Sequence, residues 1–140
     1  MINEPSRIYH GKKAAGVLPY CIKTKKFLIG LRSELCHVPL TWNLFGGAID
    51  QGEDEIEAVL RELEEEISHN DFIDLKHVHL YEHGSFTYSS YIGIVDEEFE
   101  PLLNWEHIDH KWVSLEELKS EADLHFGLKV LADLGLLDEL

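Results

Sequence analysis

The chain has 140 residues, 44% hydrophobic and 28% charged, which suits one domain with its own core and excludes disordered and fibrous classes. Twelve bases against 27 acids leave a formal net charge of −15, which excludes non-specific binding to nucleic-acid backbones or anionic membranes. An anionic substrate would need a counter-ion to approach such a protein, and a divalent metal is suited to that task.

Taken in chain order, the opening MINEPSRIYHGKK lacks the apolar core of a secretion signal. Residues 14–22 read as a strand in which Pro19 suggests an edge or a bulge. Residues 23–26 read as a turn, 27–31 as a second strand and 33–41 as loop. Residues 42–45 form a short apolar run ended by Gly46 and Gly47. Residues 54–67 give the clearest helix, with Ile56, Val59, Leu60, Leu63 and Ile67 in one apolar stripe and Asp54 with Glu57 as a capping box. Residues 75–82 and 85–95, alternating and aromatic, read as strands, and 111–113 as a last short one. Ser114 and Glu117 form a second capping box that starts a short helix. A final helix is expected over 122–134, stopped by Gly135. Strands interleaved with helices imply an α/β fold with its sheet covered on both faces, in one domain over residues 1–140. No apolar run reaches membrane-spanning length, and the two cysteines, Cys21 and Cys36, show no Cys-x-x-Cys spacing. Reduced, packed thiols fit a cytoplasmic protein.

The chemistry concentrates on the 54–67 helix. From Glu53 to Glu66 there are eight carboxylates and one base, Arg61. At about 100° per residue, Glu62, Glu65 and Glu66 are neighbours on a face apart from the apolar stripe. Three such carboxylates make a hard-oxygen site suited to magnesium or manganese rather than zinc. A solvated acidic face is the plainer alternative. Against it, carboxylates near a helix C-terminus oppose the macrodipole, and Glu62 with Glu66 is a like-charged i, i+4 pair. Local rules broken in a cluster tend to mark function.

The spacing carries a resemblance. Gly47, five residues, Glu53, seven residues, then Arg61-Glu62-Leu63-Glu64-Glu65-Glu66 resembles the Nudix box, Gly-x5-Glu-x7-Arg-Glu-aliphatic-x-Glu-Glu-x-Gly-aliphatic. Seven of its nine specified positions agree. With Trp42, Gly46 and the trailing LysTrpValSerLeuGluGluLeu, the likeness runs over residues 16–118. Ser68 and His69 depart from the closing Gly-aliphatic pair, and Asn70 is a candidate for the left-handed residue that Gly would supply. Phe45 stands where the family commonly has Pro.

The resemblance implies an α/β/α sandwich with a mixed sheet and the hydrolysis of a nucleoside diphosphate linked to another group, with Mg2+ or Mn2+ as cofactor. It makes Glu65 and Glu66 the main metal ligands, Glu62 a ligand or orienter of the nucleophile, and the Gly46 backbone carbonyl a further ligand. Arg61 and Glu53 would pair and hold the loop against the helix. Glu106, six residues before Trp112, is the candidate general base, with Asp109 and His107 behind it. Arg32 resembles the family's phosphate-facing base, and Phe45 borders the substrate pocket. Trp42, Phe45, Tyr81, Phe86 and Tyr88 are candidates to stack a base, with core packing the alternative for most of them. His77, His79 and His83 lack zinc spacing and are expected at the solvent face. No Pro stands at the position that goes with ADP-ribose, and the downstream motif of NADH-cleaving members is absent. Nucleoside triphosphates, nucleotide sugars and dinucleoside polyphosphates remain, the last with Tyr88 as a weak pointer. A small-molecule nucleotide is thus the expected partner of a monomer or homodimer. The alternatives are a catalytically silent Nudix-fold nucleotide-binding or regulatory module, and an acidic interaction protein whose glutamates are only solvated.

Overall fold

A computed structural model describes residues 13–140; residues 1–12 of the opening segment read above for a signal lie outside the described residues. Strands β1 (Lys13–Cys21), β2 (Lys26–Arg32), β3 (Trp42–Asn43), β4 (Phe45–Ala48), β5 (Asp74–His83), β6 (Phe86–Val95) and β7 (His107–Val113) form one mixed sheet. Helices are α1 (Glu55–Ile67), α2 (Leu115–Ser120) and α3 (Phe126–Asp133).

β1 pairs in parallel with β6 along its whole length and antiparallel to β2 only at Tyr20 and Cys21. Beyond that point β1 and β2 diverge. The 42–48 segment fills the wedge, β3 on Gly30 and Leu31 of β2 and β4 on residues 14–17 of β1. β7 runs along the other edge of β2.

Side-chain alternation then sorts the core onto two faces. Ala15, Val17, Leu28, Phe45 and Tyr91 pack under Val59, Leu63 and Ile67 of α1. Leu18, Tyr20, Phe27, Ile29 and Leu44 pack under Leu118 of α2 and Leu128 and Leu131 of α3. The sheet is therefore covered on both faces, as expected.

Several boundaries differ from the sequence reading. Pro19 is at neither an edge nor a bulge. It sits in an interior strand, at the gap where β1 leaves β4 and reaches β2, so its missing N–H costs the ladder little there. Gly46 and Gly47 do not end the apolar run but continue it as β4. A Cβ at 46 would stand 2.2 Å from the Ala15 carbonyl oxygen, so only glycine lets the wedge close there, while a Cβ at 47 would stand 2.6 Å from Glu62 Oε1, the movable end of a side chain. The last strand starts at His107, well before 111. The last helix starts at Phe126, capped by the His125 side chain, because Asp123 and His125 exchange backbone hydrogen bonds with Trp42 and hold the preceding chain extended. No helix of the described residues is long and apolar enough to cross a membrane.

Candidate active site

The capping box at the start of α1 forms as read: the Asp54 carboxylate accepts from Glu57 N–H and the Glu57 carboxylate from Asp54 N–H. Glu55, in the first turn, accepts from Ser89 and Tyr91 of β6 and fixes the helix over the sheet. Ile56, placed in the apolar stripe by its spacing, is instead exposed; the buried face is Ala58, Val59, Leu63, Glu66 and Ile67.

Arg61 joins the helix to the loop before it. Its Nε and Nη2 donate to both Glu53 oxygens at 2.8 and 3.1 Å, and Nη2 also reaches the Ala48 carbonyl at 3.1 Å. Glu53 in turn accepts from the Asp50 N–H. The bidentate pair holds the Glu53 carboxyl below its usual range, chiefly through the Arg61 hydrogen bonds. Arg61 Nη1 donates to Glu62 at 2.9 Å and, more weakly, to Glu65 at 3.4 Å.

The three helix carboxylates differ sharply in depth. Glu65 is exposed, Glu62 mostly covered, and Glu66 only 1% exposed. A face apart from the stripe does not describe Glu66, which points into the molecule. Burial pushes its carboxyl well above the usual range, the adjoining carboxyls of Glu62 and Glu106 push the same way, and a hydrogen bond from the Gly46 backbone opposes them. Its Oε2 is buried with no hydrogen-bond partner.

Glu106 joins this group from the loop before β7. Asn104 holds it twice: Asn104 Oδ1 accepts the Glu106 N–H at 3.0 Å and Nδ2 donates to Glu106 Oε1 at 3.1 Å. The loop itself closes the end of α1. Leu102 N–H donates to the Ile67 carbonyl and Asn104 N–H to the Glu66 carbonyl, satisfying groups a helix end leaves open. Burial raises the Glu106 carboxyl; Asn104 and the charge of Arg32 lower it, while Glu62 and Glu65 raise it.

The other predicted residues scatter. Phe45 is fully buried in the core under α1, so its ring offers no face to a substrate. Arg32 Nε donates to the carbonyls of His37 and Val38 and fastens its own loop. Its charge nevertheless acts on Glu106 and His107. Asp109 is exposed on β7, with its carboxylate accepting the His110 N–H. His107 is buried, its ring 4.9 Å from that of Phe45 and its Nδ1 4.0 Å from Glu66 Oε1. Burial, with Arg32 adding, pushes its pKa down to about 4. Trp42 packs in the core with Lys111 Nζ 4.3 Å over its ring. His77 and His83 are exposed and His79 half-buried.

At the box exit, Ser68 itself takes the left-handed conformation, φ 55° and ψ 38°; Asn70 does not take that place. His69 stacks on Phe99 at 3.6 Å and meets Phe72 edge-on, doing with a ring what an aliphatic side chain would do. Asn104, which holds the candidate base, is not among the residues singled out in the sequence. Its signal is the Asn-x-Glu spacing, since Asn commonly bonds the backbone two residues on.

These donors fit a hard divalent cation: all are carboxylate oxygens, close enough for Glu62 to push up both Glu66 and Glu106, with one buried oxygen lacking a partner. Among the described residues, no three His, Cys, Asp or Glu side chains already converge as a ready ligand set. Arg61 currently engages Glu62 and Glu65.

The family model described as NUDIX domain matches residues 11–134. A MutT protein from Methanosarcina mazei Go1 is similar in structure at a TM-score of 0.71 and 24% identity, over 91% of this chain and 92% of that one. An Ap4A hydrolase from C. elegans, solved as a binary complex, gives a TM-score of 0.66 at 26% identity, over 87% and 93% of the two chains. The E. coli dihydroneopterin triphosphate pyrophosphohydrolase gives 0.67 at 17% identity, over 93% and 97%. No curated protein matches the sequence significantly.

Proposed function

Since the chain belongs to the Nudix family, we propose that it is a metal-dependent hydrolase of a nucleoside diphosphate linked to a further group, with water attacking phosphorus. The observation that carries this reading is Glu66, buried with one carboxylate oxygen unpartnered and pushed up by burial and by the neighbouring carboxyls of Glu62 and Glu106.

Glu62, Glu65 and Glu66 are the residues that would hold Mg2+ or Mn2+, with the Gly46 carbonyl beside them. Such an ion supplies charge neutralisation between a multiply anionic diphosphate and an acidic protein, and activates water. Glu106 acts as general base. It takes a proton from the attacking water as the new O–P bond forms, and the bridging P–O bond breaks with its electron pair leaving on the departing phosphate. A carboxyl raised by burial is a stronger base than one in water, which suits this task near neutral pH. Arg61 and Glu53 keep the loop at residues 48–53 on the helix, so that β4 and α1 stay in register. Arg32 is the cation nearest Glu106 by its electrostatic effect and would meet substrate phosphate on leaving His37 and Val38. The substrate class is a nucleoside triphosphate, a nucleotide sugar or a dinucleoside polyphosphate.

The test is release of phosphate and nucleotide from a panel of these classes and ADP-ribose, with Mg2+, Mn2+ or EDTA, beside Glu66→Gln and Glu106→Gln. Turnover of one class, abolished by EDTA, is expected. Partners of metal ligands are commonly worth about 10–100-fold, so Glu66→Gln should cost more than that. Wild-type rates in Glu66→Gln would overturn the assignment. Saturable nucleotide binding without product under either metal would establish the silent module instead.

A further inference from the structure

Glu66 and His107 present a mismatch. Glu66 Oε2 and His107 Nδ1 are both buried, and neither has a hydrogen-bond partner. An unsatisfied polar atom in a core is costly, and one donor can serve one acceptor, so a donor and an acceptor on neighbouring side chains can relieve each other. The facing atoms, His107 Nδ1 and Glu66 Oε1, are 4.0 Å apart, and the two side chains are 3% and 2% exposed. That separation is just beyond hydrogen-bond distance.

The imidazole is fixed from several directions. Phe45 lies against it at 4.9 Å and 60°. Gly30 leaves the room: a Cβ there would lie 2.8 Å from His107 Cδ2. The register of β2 on β7 shifts between Leu31 and Arg32, and His107 is the residue set opposite Arg32 by that shift. Its N–H returns to the Asn104 carbonyl at 3.3 Å. A ring so placed cannot exchange protons readily with solvent, which argues against the reserve-base role the sequence suggested.

We propose that His107 is a positioning residue: as the Nδ1–H tautomer it donates to the Glu66 carboxylate and sets its orientation. The metal-binding part of this role rests on the reading of Glu66 as a ligand given above. A ligand carboxylate held by an outer hydrogen bond presents its free oxygen in one direction, and such partners typically govern metal affinity by about 10–100-fold.

The test uses the whole chain. Long-range 1H–15N spectra of metal-free, histidine-labelled protein should show His107 as the Nδ1–H tautomer, with its Hδ1 resonance moved by Glu66→Gln. An Nε2–H tautomer would overturn the proposal. His107→Asn places an amide N–H near the Nδ1 position, and His107→Gln places one near Nε2. Mn2+ titration followed by electron paramagnetic resonance should give wild-type affinity within about 3-fold for His107→Asn and a loss of about 10-fold or more for His107→Gln. Equal affinities in both variants would also overturn it. If neither variant folds, the wild-type tautomer decides. If the wild-type chain binds no Mn2+, the metal reading falls while the tautomer still decides the contact with Glu66.

Discussion

The backbone N–H of Asn104 donates to the Glu66 carbonyl at 3.1 Å, so the last turn of α1 and the loop carrying Glu106 are one unit. Because the Asn104 side chain also grips Glu106 at both its N–H and its carboxylate, one residue sets the distance between a candidate ligand and a candidate base.

Asn104→Ala keeps the backbone bond and removes the grip on Glu106. We expect kcat to fall about 10–100-fold with KM changed by less than about 3-fold, as befits a misplaced catalytic group. Two lost hydrogen bonds cost about 1–3 kcal/mol, which lowers Tm by less than about 12 °C. Steady-state kinetics beside a melting curve checks this; a loss of activity that follows unfolding alone would contradict it.

Gly47→Ala and Gly46→Ala should separate function from folding. At Gly47 the added methyl group meets the end of Glu62, which can swing away, at the expense of its 2.9 Å bond to Arg61. Activity and Mn2+ affinity should drop about 10-fold with stability changed by about 1 kcal/mol or less. At Gly46 the methyl meets the backbone of Ala15 and Gly16, which cannot yield without breaking the β1–β4 ladder. That variant should lose about 3 kcal/mol or more in urea unfolding.

Ser68→Gly should stabilise the protein. A non-glycine residue in the left-handed region costs about 1–2 kcal/mol, and glycine returns about 0.5–1 kcal/mol of that to unfolded-chain entropy. A net gain of up to about 1 kcal/mol, read as a higher urea midpoint at unchanged slope, is the expected result. A lower midpoint would mean that the serine hydroxyl holds the exit.

His125 gives a pH dependence with a defined sign. Burial is the main cause that lowers its pKa from 6.5 to about 4, with Arg32 and His37 adding. Below 6.5 the unfolded chain takes up a proton that the folded one refuses, so its stabilising effect is complete above pH 6.5 and lost as the pH falls towards 4. The loss amounts to at most about 3 kcal/mol. His125→Asn keeps an N-cap acceptor and carries no titrating group. Relative to wild type, the variant should gain stability between pH 7.5 and 4.5 in parallel urea titrations. Glu66 and Glu106 titrate in both proteins and cancel in the difference.

The sequence made α1 legible because its signals are local. The Asp54–Glu57 box and the Glu53–Arg61 pair lie within a few turns of one another, where spacing determines contact. Depth was not legible in the same way. Glu66 was grouped with Glu62 and Glu65 by charge, although it lies about 20° from Val59 on the wheel, which already placed it beside the core. Phe45 was read from its place before Gly46, but its depth depends on β1, β2 and α1 meeting over it. The late start of α3 and the early start of β7 were out of reach for a related reason. Both depend on hydrogen bonds to distant residues, Trp42 for the first and Ser33 for the second, and no local pattern records them. Leu124 and His125 are held out of the helix by a bridge to Trp42, far back in the chain.

The parallel ladder between β1 and β6 has a kinetic consequence. Residues 13–21 find their partners at 87–95, so the central pairing of the sheet joins segments far apart in the chain. Loop closure must precede the contacts that reward it, which makes such pairings slow to form. During synthesis β1 emerges early, can meet β2 and β4, and keeps its other edge open until β6 has been made. Ala14, Val17, Leu18 and Tyr20 then sit on an unpaired strand edge of the type that pairs with other chains. Rapid dilution from denaturant at high protein concentration should therefore lose chains at this step, and dilute, slow refolding should recover them.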